Sequence, residues 1–289
     1  MAESPAHRFG QIIGNTLEAV VQPYLERFCA QHGLFLDHQS RSRRARPGKK
    51  VAWQDSYGNT HDLDFVIERD GNDETLGRPV AFVEVAWRRY TKHSRNKAQE
   101  IQGAILPLAE RFRWNNPFLG AVLAGVFTEG SLEQLRSLGF HVLYFPYETL
   151  VEAFGAEGII IRFDETTPDE AFQQCSEAIE NSPVDRIQRI QNRLVESNQA
   201  QLDQWFSALA SRLARQVVTV IVIPLYGRLN RFYDISAAIQ FLDAHQLYEG
   251  SGEFRKYEIR VEFSNGDNVS ASLDSKQRVR EFLEFVANQ

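Results

Sequence analysis

Asp64 and Glu84 are carboxylates set where a hydrophobic chain carries charge at a cost. Asp64 lies in "LDFVI" and Glu84 in "FVEVA", each flanked by apolar residues in a stretch that reads as a β-strand. Taking an ionised carboxylate out of water is unfavourable unless it is paired or bound to a metal. A single such residue can simply face solvent. Two of them on neighbouring strands can converge on one divalent cation, and oxygen ligands of this kind suit Mg²⁺ or Mn²⁺ better than zinc. Asp62 shares a strand face with Asp64 by two-residue alternation, and Glu18 borders the apolar stripe of an N-terminal helix, so both are accessory candidates.

Other chemistry has little support. Cys29 and Cys175 are far apart, with no Cys-x-x-Cys and no Cys/His cluster, which argues against a zinc site or a disulfide scaffold and for buried small hydrophobes. His61, His93 and His141 are dispersed. No Gly-rich loop ends in Lys-Ser/Thr, so NTP hydrolysis is not expected.

Positive charge is concentrated in two places. "RSRRARPGKK" (41–50) holds six cations and no anion, and a second cluster runs from Arg88 to Lys97. In a chain of net charge −6 such loops fit phosphate binding at one face rather than coating by global charge. The candidates for phosphate contact are Arg43, Arg44, Arg46, Lys49, Lys50, Arg88, Arg89, Lys92 and Arg95.

The elements that must position these groups follow from periodicity. Phe9, Ile13, Leu17, Val20, Tyr24 and Phe28 recur at helical spacing. "KKVAWQD" and "THDLDFVIER" read as a hairpin across "SYGN", and "VAFVEVAW" completes a three-strand meander. A helix follows through Ala98, Ile101, Ile105 and Leu108, with Ser94 placed to cap it. "FLGAVLAGVF" lacks polar alternation, as a strand covered on both faces does. A short helix and the strand "FHVLYFP" come next. The order is α-β-β-β-α-β-α-β: an α/β fold with a mixed sheet flanked by helices.

With 289 residues, 43% apolar and 24% charged, the chain is expected to divide. A core spans 1–165, a helical connector 166–216, and a small βαββα module, an α+β unit with a hairpin at "NGD", 217–289. The apolar runs are too short for membrane spans and the N-terminus lacks an export pattern, so a cytoplasmic location is expected.

This order, with Asp64 on the second strand and Glu84 on the third, resembles the PD-(D/E)xK nuclease superfamily, the restriction-endonuclease-like group, over about residues 9 to 155. The resemblance implies Asp64, Glu84 and the Val85 carbonyl as metal ligands. It implies Mg²⁺ or Mn²⁺ as cofactor and activated water attacking a phosphodiester of double-stranded DNA. A Mg²⁺-dependent DNA endonuclease of restriction type is expected, as a homodimer and with a partner methyltransferase. The family lysine, two residues after Glu84, is here Ala86. The missing charge is expected from Lys97, then Lys92, then Arg88, with Lys97 as the displaced basic partner of Asp64 and Glu84 in the catalytic set. The alternative is a catalytically impaired DNA-binding or interaction protein on the same core.

Overall fold

A computed structural model of the protein describes residues 4–46, 48–91, 94–214, 216–225, 227–245, 254–264 and 267–287. The chain forms two compact units, Met1–Ala208 and Leu209–Gln289.

The first unit opens with helix α1, Pro5–His32. Ser4 accepts the His7 amide at 3.3 Å, and Pro5 at the first position lacks only an amide that a helix start leaves unbonded. Gly33, at φ 63°, ends the helix in the left-handed conformation that glycine tolerates. The stripe Phe9, Ile13, Leu17, Val21, Leu25 and Phe28 is buried.

Seven strands follow: β1 Phe35–His38, β2 Val51–Gln54, β3 Thr60–Leu63, β4 Phe65–Arg69, β5 Arg78–Arg88, β6 Phe118–Gly125 and β7 Phe140–Pro146. Five build one mixed sheet in the order β1-β4-β5-β6-β7. β1, β4 and β5 are antiparallel, whereas β5, β6 and β7 are parallel and joined by helices α2, Ser94–Arg111, and α3, Glu129–Ser137.

The expected meander is corrected here. Among the described residues, β2 and β3 pair only with each other. The stretch read as one strand, "THDLDFVIER", breaks at Asp64: Leu63 pairs with Val51 in the small sheet, and Phe65 pairs with His38 and Val83 in the large one. The burial pattern gives the reason. Thr60 to Leu63 is mostly exposed, as in a hairpin lying on the surface, while Phe65 to Glu68 is buried throughout, as in a strand covered on both faces. The missing first strand is β1, a four-residue element too short for its period to stand out. The order α-β-β-β-α-β therefore holds for α1, β1, β4, β5, α2 and β6, with the β2–β3 hairpin inserted. Ser94 begins α2, but its hydroxyl donates to the Thr91 carbonyl at 2.9 Å instead of accepting from the helix amides.

Helix α4, Tyr147–Gly155, follows β7. The expected connector is mostly part of this unit. Helices α5, Asp169–Glu180, and α6, Val184–Ser197, pack against α1, with Phe172 5.6 Å from Phe9 between ring centroids and Cys175, Ile179, Ile190 and Leu194 buried. Amphipathic helices with an apolar stripe need a partner, and α1 supplies it. The division between units falls within α7, Gln199–Leu213.

The second unit contains β8 Val217–Pro224, β9 Asn230–Phe232, α8 Ile235–Ala244, β10 Tyr257–Phe263, β11 Asn268–Leu273 and α9 Lys276–Ala287. Its antiparallel sheet runs β11-β10-β8-β9 around a core that includes Val220, Val222, Ile259, Val261 and Leu283. It is the expected βαββα order with a short extra strand, β9. The Asn265–Gly266 turn lies outside the described residues. Cys29 and Cys175 are free and buried. Among the described residues, no helix is long and apolar enough to cross a membrane.

Candidate active site

Asp64 occupies the point where the chain leaves one sheet for the other. Since Phe65 faces Val83, continued pairing would set residue 63 opposite Val85, but Leu63 is committed to Val51. The Val85 amide thus loses its ladder partner, and the Asp64 carboxylate accepts it at 2.6 Å. In a strand a residue's N–H and C=O point to the same side, so the Val85 carbonyl also faces the Asp64 side of β5.

Glu84 lies between Phe82 and Ala86 on β5, on the face that packs with Ala98, Ile101 and Ile105 of α2. It is buried. Burial, followed by the charge of Asp64, pushes its carboxyl up to about 8; Lys97 pulls the other way, and Glu18 and Asp62 add smaller pushes. Asp64 is also raised, because burial outweighs the Val85 amide bond and the charge of Lys97. Glu18, from α1, is pushed up to about 7 by burial and then by Asp64. Four chain segments thus bring Glu18, Asp64, Glu84 and Lys97 within electrostatic reach of one another. Three carboxylates and one ammonium total −2 when all are ionised.

Lys97 is half-buried and its ammonium pairs with Glu100 at 3.3 Å. Arg88 meets the same Glu100 at 3.5 Å. Glu100 therefore gathers two of the three cations expected to replace the motif lysine, an acceptor that its place among polar helix residues does not single out. Lys92 lies outside the described residues. A cleft of about 300 Å³ along the last residues of β5 is lined by Gln11, Gly14, Val85, Ala86, Arg88 and Lys97. Ala86 and Lys97 line the same space. Asp62 is exposed and paired with Lys50, acting on Glu84 only through its charge. Among the described residues, no three His, Cys, Asp or Glu side chains already enclose a metal-sized site.

The basic loop divides in two, which corrects part of the phosphate-contact set. Arg43 and Arg46 are buried. Arg43 bonds Asp37 at 2.9 Å, both oxygens of Glu68, and the carbonyls of Asn72 and Thr75. Arg46 bonds both oxygens of Asp37 at 3.0 and 3.1 Å and the carbonyls of His38, Arg41 and Gly48. Guanidinium groups so occupied have no donors left for a phosphate. Arg44, Lys49 and Lys50 are exposed, as is Arg95, with Arg44 paired to Glu74. Arg89 is held over the rings of Phe172 and Tyr90 at 4.2 and 4.4 Å.

The chain matches no model of a known protein family and no curated protein. It is similar to a solved structure described as a protein of unknown function, AF1548, at 14% sequence identity and a TM-score of 0.30. The likeness covers 65% of this chain and 99% of that one. A likeness at that level carries no argument about the site.

Proposed function

We propose that the protein is a Mg²⁺-dependent DNA endonuclease of the restriction-endonuclease-like kind. One observation carries the reading: Glu18, Asp64 and Glu84 gather on an α-β-β-β-α-β core with, among the described residues, one ammonium beside them, and burial raises all three carboxyls so that they hold protons unless a cation takes their place. The donor set fits a hard divalent cation, with oxygen ligands only and a charge of −2 to offset once the three carboxyls give up their protons. Asp64, Glu84 and the Val85 carbonyl would hold it. Such an ion, when bound, lowers the pKa of water and stabilises the charge developing on a phosphoryl group.

The chain's own groups supply the rest. Glu18, poised at about 7, suits accepting the proton of an attacking water near neutral pH. Lys97, lining the cleft beside Ala86, offers positive charge to the scissile phosphate once its bond to Glu100 gives way. Exposed Arg44, Lys49 and Lys50 grip the backbone without specifying sequence. Two copies and a companion methyltransferase would suit a restriction role.

The test is cleavage of supercoiled plasmid in Mg²⁺. Wild type should nick or linearise it, and Asp64→Asn and Glu84→Gln should each lower the rate at least about a hundredfold. Mg²⁺ should also raise the melting temperature of wild type and leave Asp64→Asn unmoved. A second reading, a binding protein without cleavage, draws on Ala86 and on the engagement of Lys97 with Glu100. It predicts duplex binding with intact plasmid under every metal.

A further inference from the structure

The β2–β3 hairpin ends in a turn that is fixed from several sides. The Asp55 carboxylate, itself buried, accepts the Tyr57 amide at 2.8 Å, the Asn59 amide at 2.9 Å and the Asn59 side-chain amide at 3.1 Å, and it pairs with His61 at 2.9 Å. These bonds, that to His61 above all, hold its pKa below the usual carboxylate range. Gln54 donates to the Gly58 carbonyl at 2.9 Å, and Gly58 adopts φ 89°, where a side chain would be strained. Arg111 of α2 donates to the carbonyls of Gln54 and Asp55 at 2.5 and 3.1 Å, tying the turn to the body of the unit. Beneath it, Trp53 packs edge-on against Phe112, ring centroids 5.4 Å apart.

What this rigid turn presents is Tyr57, whose side chain is 82% exposed. A lone exposed ring is ordinary. A ring on a backbone fixed by a fully bonded buried carboxylate leaves only its own side-chain torsions to be ordered when it stacks. The same hairpin runs directly into the candidate site: β3 leads from the turn to Asp64, and four strand residues set the two roughly 13 Å apart, about four base steps of a duplex. Exposed Lys49 and Lys50 stand at the other end of the hairpin, just before β2. Cations near the cleavage point and an aromatic group a few base steps away form the pairing that binds a nucleic-acid backbone and bases together.

We propose that Tyr57 is a nucleobase-contacting wedge, positioned by Asp55, that enters a base step of the DNA duplex whose scissile phosphate lies at Asp64 and Glu84, and stacks on the base face it opens. The inference rests on the nuclease reading. It assigns the hairpin tip a share of affinity that does not come from phosphate neutralisation.

The experiment is fluorescence anisotropy with a fluorescein-labelled duplex, Ca²⁺ replacing Mg²⁺, over a series of salt concentrations. Tyr57→Ala should weaken binding about tenfold. Tyr57→Phe, which keeps the ring, should bind like wild type. The salt dependence should be the same in all three, because the ring neutralises no phosphate. The melting temperature of Tyr57→Ala should match wild type, since the lost side chain is exposed. Asp55→Asn should bind less tightly while Tyr57 is still present, as the tip loosens. If Tyr57→Ala binds as wild type does, or Tyr57→Phe loses as much as Tyr57→Ala, the wedge is wrong. The nuclease reading then still stands on the Asp64→Asn and Glu84→Gln rates. Absence of any duplex binding by wild type overturns both.

Discussion

Asp37 on β1 and Glu68 on β4 are, like Asp64 and Glu84, partly or fully buried carboxylates at the large sheet, although each has an apolar neighbour on one side only, with His38 and Arg69 on the other. The fold treats the two pairs differently. Asp37 and Glu68 are fully buried against Arg43 and Arg46, two anions against two cations, with backbone carbonyls taking the remaining guanidinium donors. Among the described residues, Asp64 and Glu84, joined by Glu18, have one nearby ammonium, that of Lys97, and it is shared with Glu100. A cluster neutralised from within has no use for an added cation. A cluster left in excess must hold protons or bind something positive. The difference separates a carboxylate neutralised within the fold from one with charge still to be met, and it lies in the partners rather than in the strands.

The largest expected effect comes from removing a cation from each cluster. Arg43→Met leaves Asp37 and Glu68 buried beside one guanidinium. Breaking a buried pair from one side costs about 3–5 kcal/mol, so the variant should melt far below wild type or fail to fold. Lys97→Met should behave in the opposite sense. Its partners already sit in a proton-holding site, and the loss should stay under about 1 kcal/mol by chemical denaturation. Plasmid cleavage by Lys97→Met should fall steeply all the same. Equal destabilisation by the two substitutions would erase the distinction.

A second, smaller effect sharpens the contrast through pH. An unfolded Glu84 titrates near 4.5, and in the folded chain it is raised to about 8 by burial and the Asp64 charge. Between those values the folded state holds more protons than the unfolded one, so stability falls as pH rises. The contribution is complete below about 4.5 and gone above about 8, and Glu18, raised to about 7, adds to the slope within the same window. Stability should therefore drop by on the order of 2–4 kcal/mol from pH 5 to pH 8.5 in the absence of divalent metal. Glu84→Gln, neutral at every pH, should flatten most of that slope. A wild-type stability that rises or stays level across the window would contradict the raised carboxyls.

The sequence showed some of this and hid the rest for physical reasons. Asp64 and Glu84 were legible because apolar neighbours on both sides make a charge conspicuous, and the parallel strand β6 because ten residues run without polar alternation. β1 was hidden: four residues carry two periods at most, and two of them, Asp37 and His38, are polar yet buried. The break at Asp64 was hidden because strand propensity is continuous through "THDLDFVIER", and only the pairing partners reveal that it changes sheets. The loop 41–50 misled most. Six cations without an anion look like a solvated phosphate grip, but the anions that bury Arg43 and Arg46 lie elsewhere in the chain, on β1 and β4. Local charge patterns cannot show a partner 25 residues away.

The smallest predicted effect uses that divided loop. Lys49 is exposed, whereas Arg46, three residues earlier, has its donors taken by Asp37 and backbone carbonyls. Each phosphate neutralised by a protein cation contributes about 0.9 to the slope of log affinity against log salt. Lys49→Ala should lower duplex affinity a few-fold at low salt and reduce that slope by about 0.9. Its melting temperature should stay unchanged. Arg46→Lys, assayed below its own melting point, should keep the wild-type slope, because the side chain it replaces never reached a phosphate. The two substitutions therefore exchange signatures: one moves salt dependence without stability, the other stability without salt dependence. A slope unchanged by Lys49→Ala would mean that the exposed part of the loop is solvated surface as well, and the grip on DNA would have to come from Arg88, Arg95 and the cleft itself.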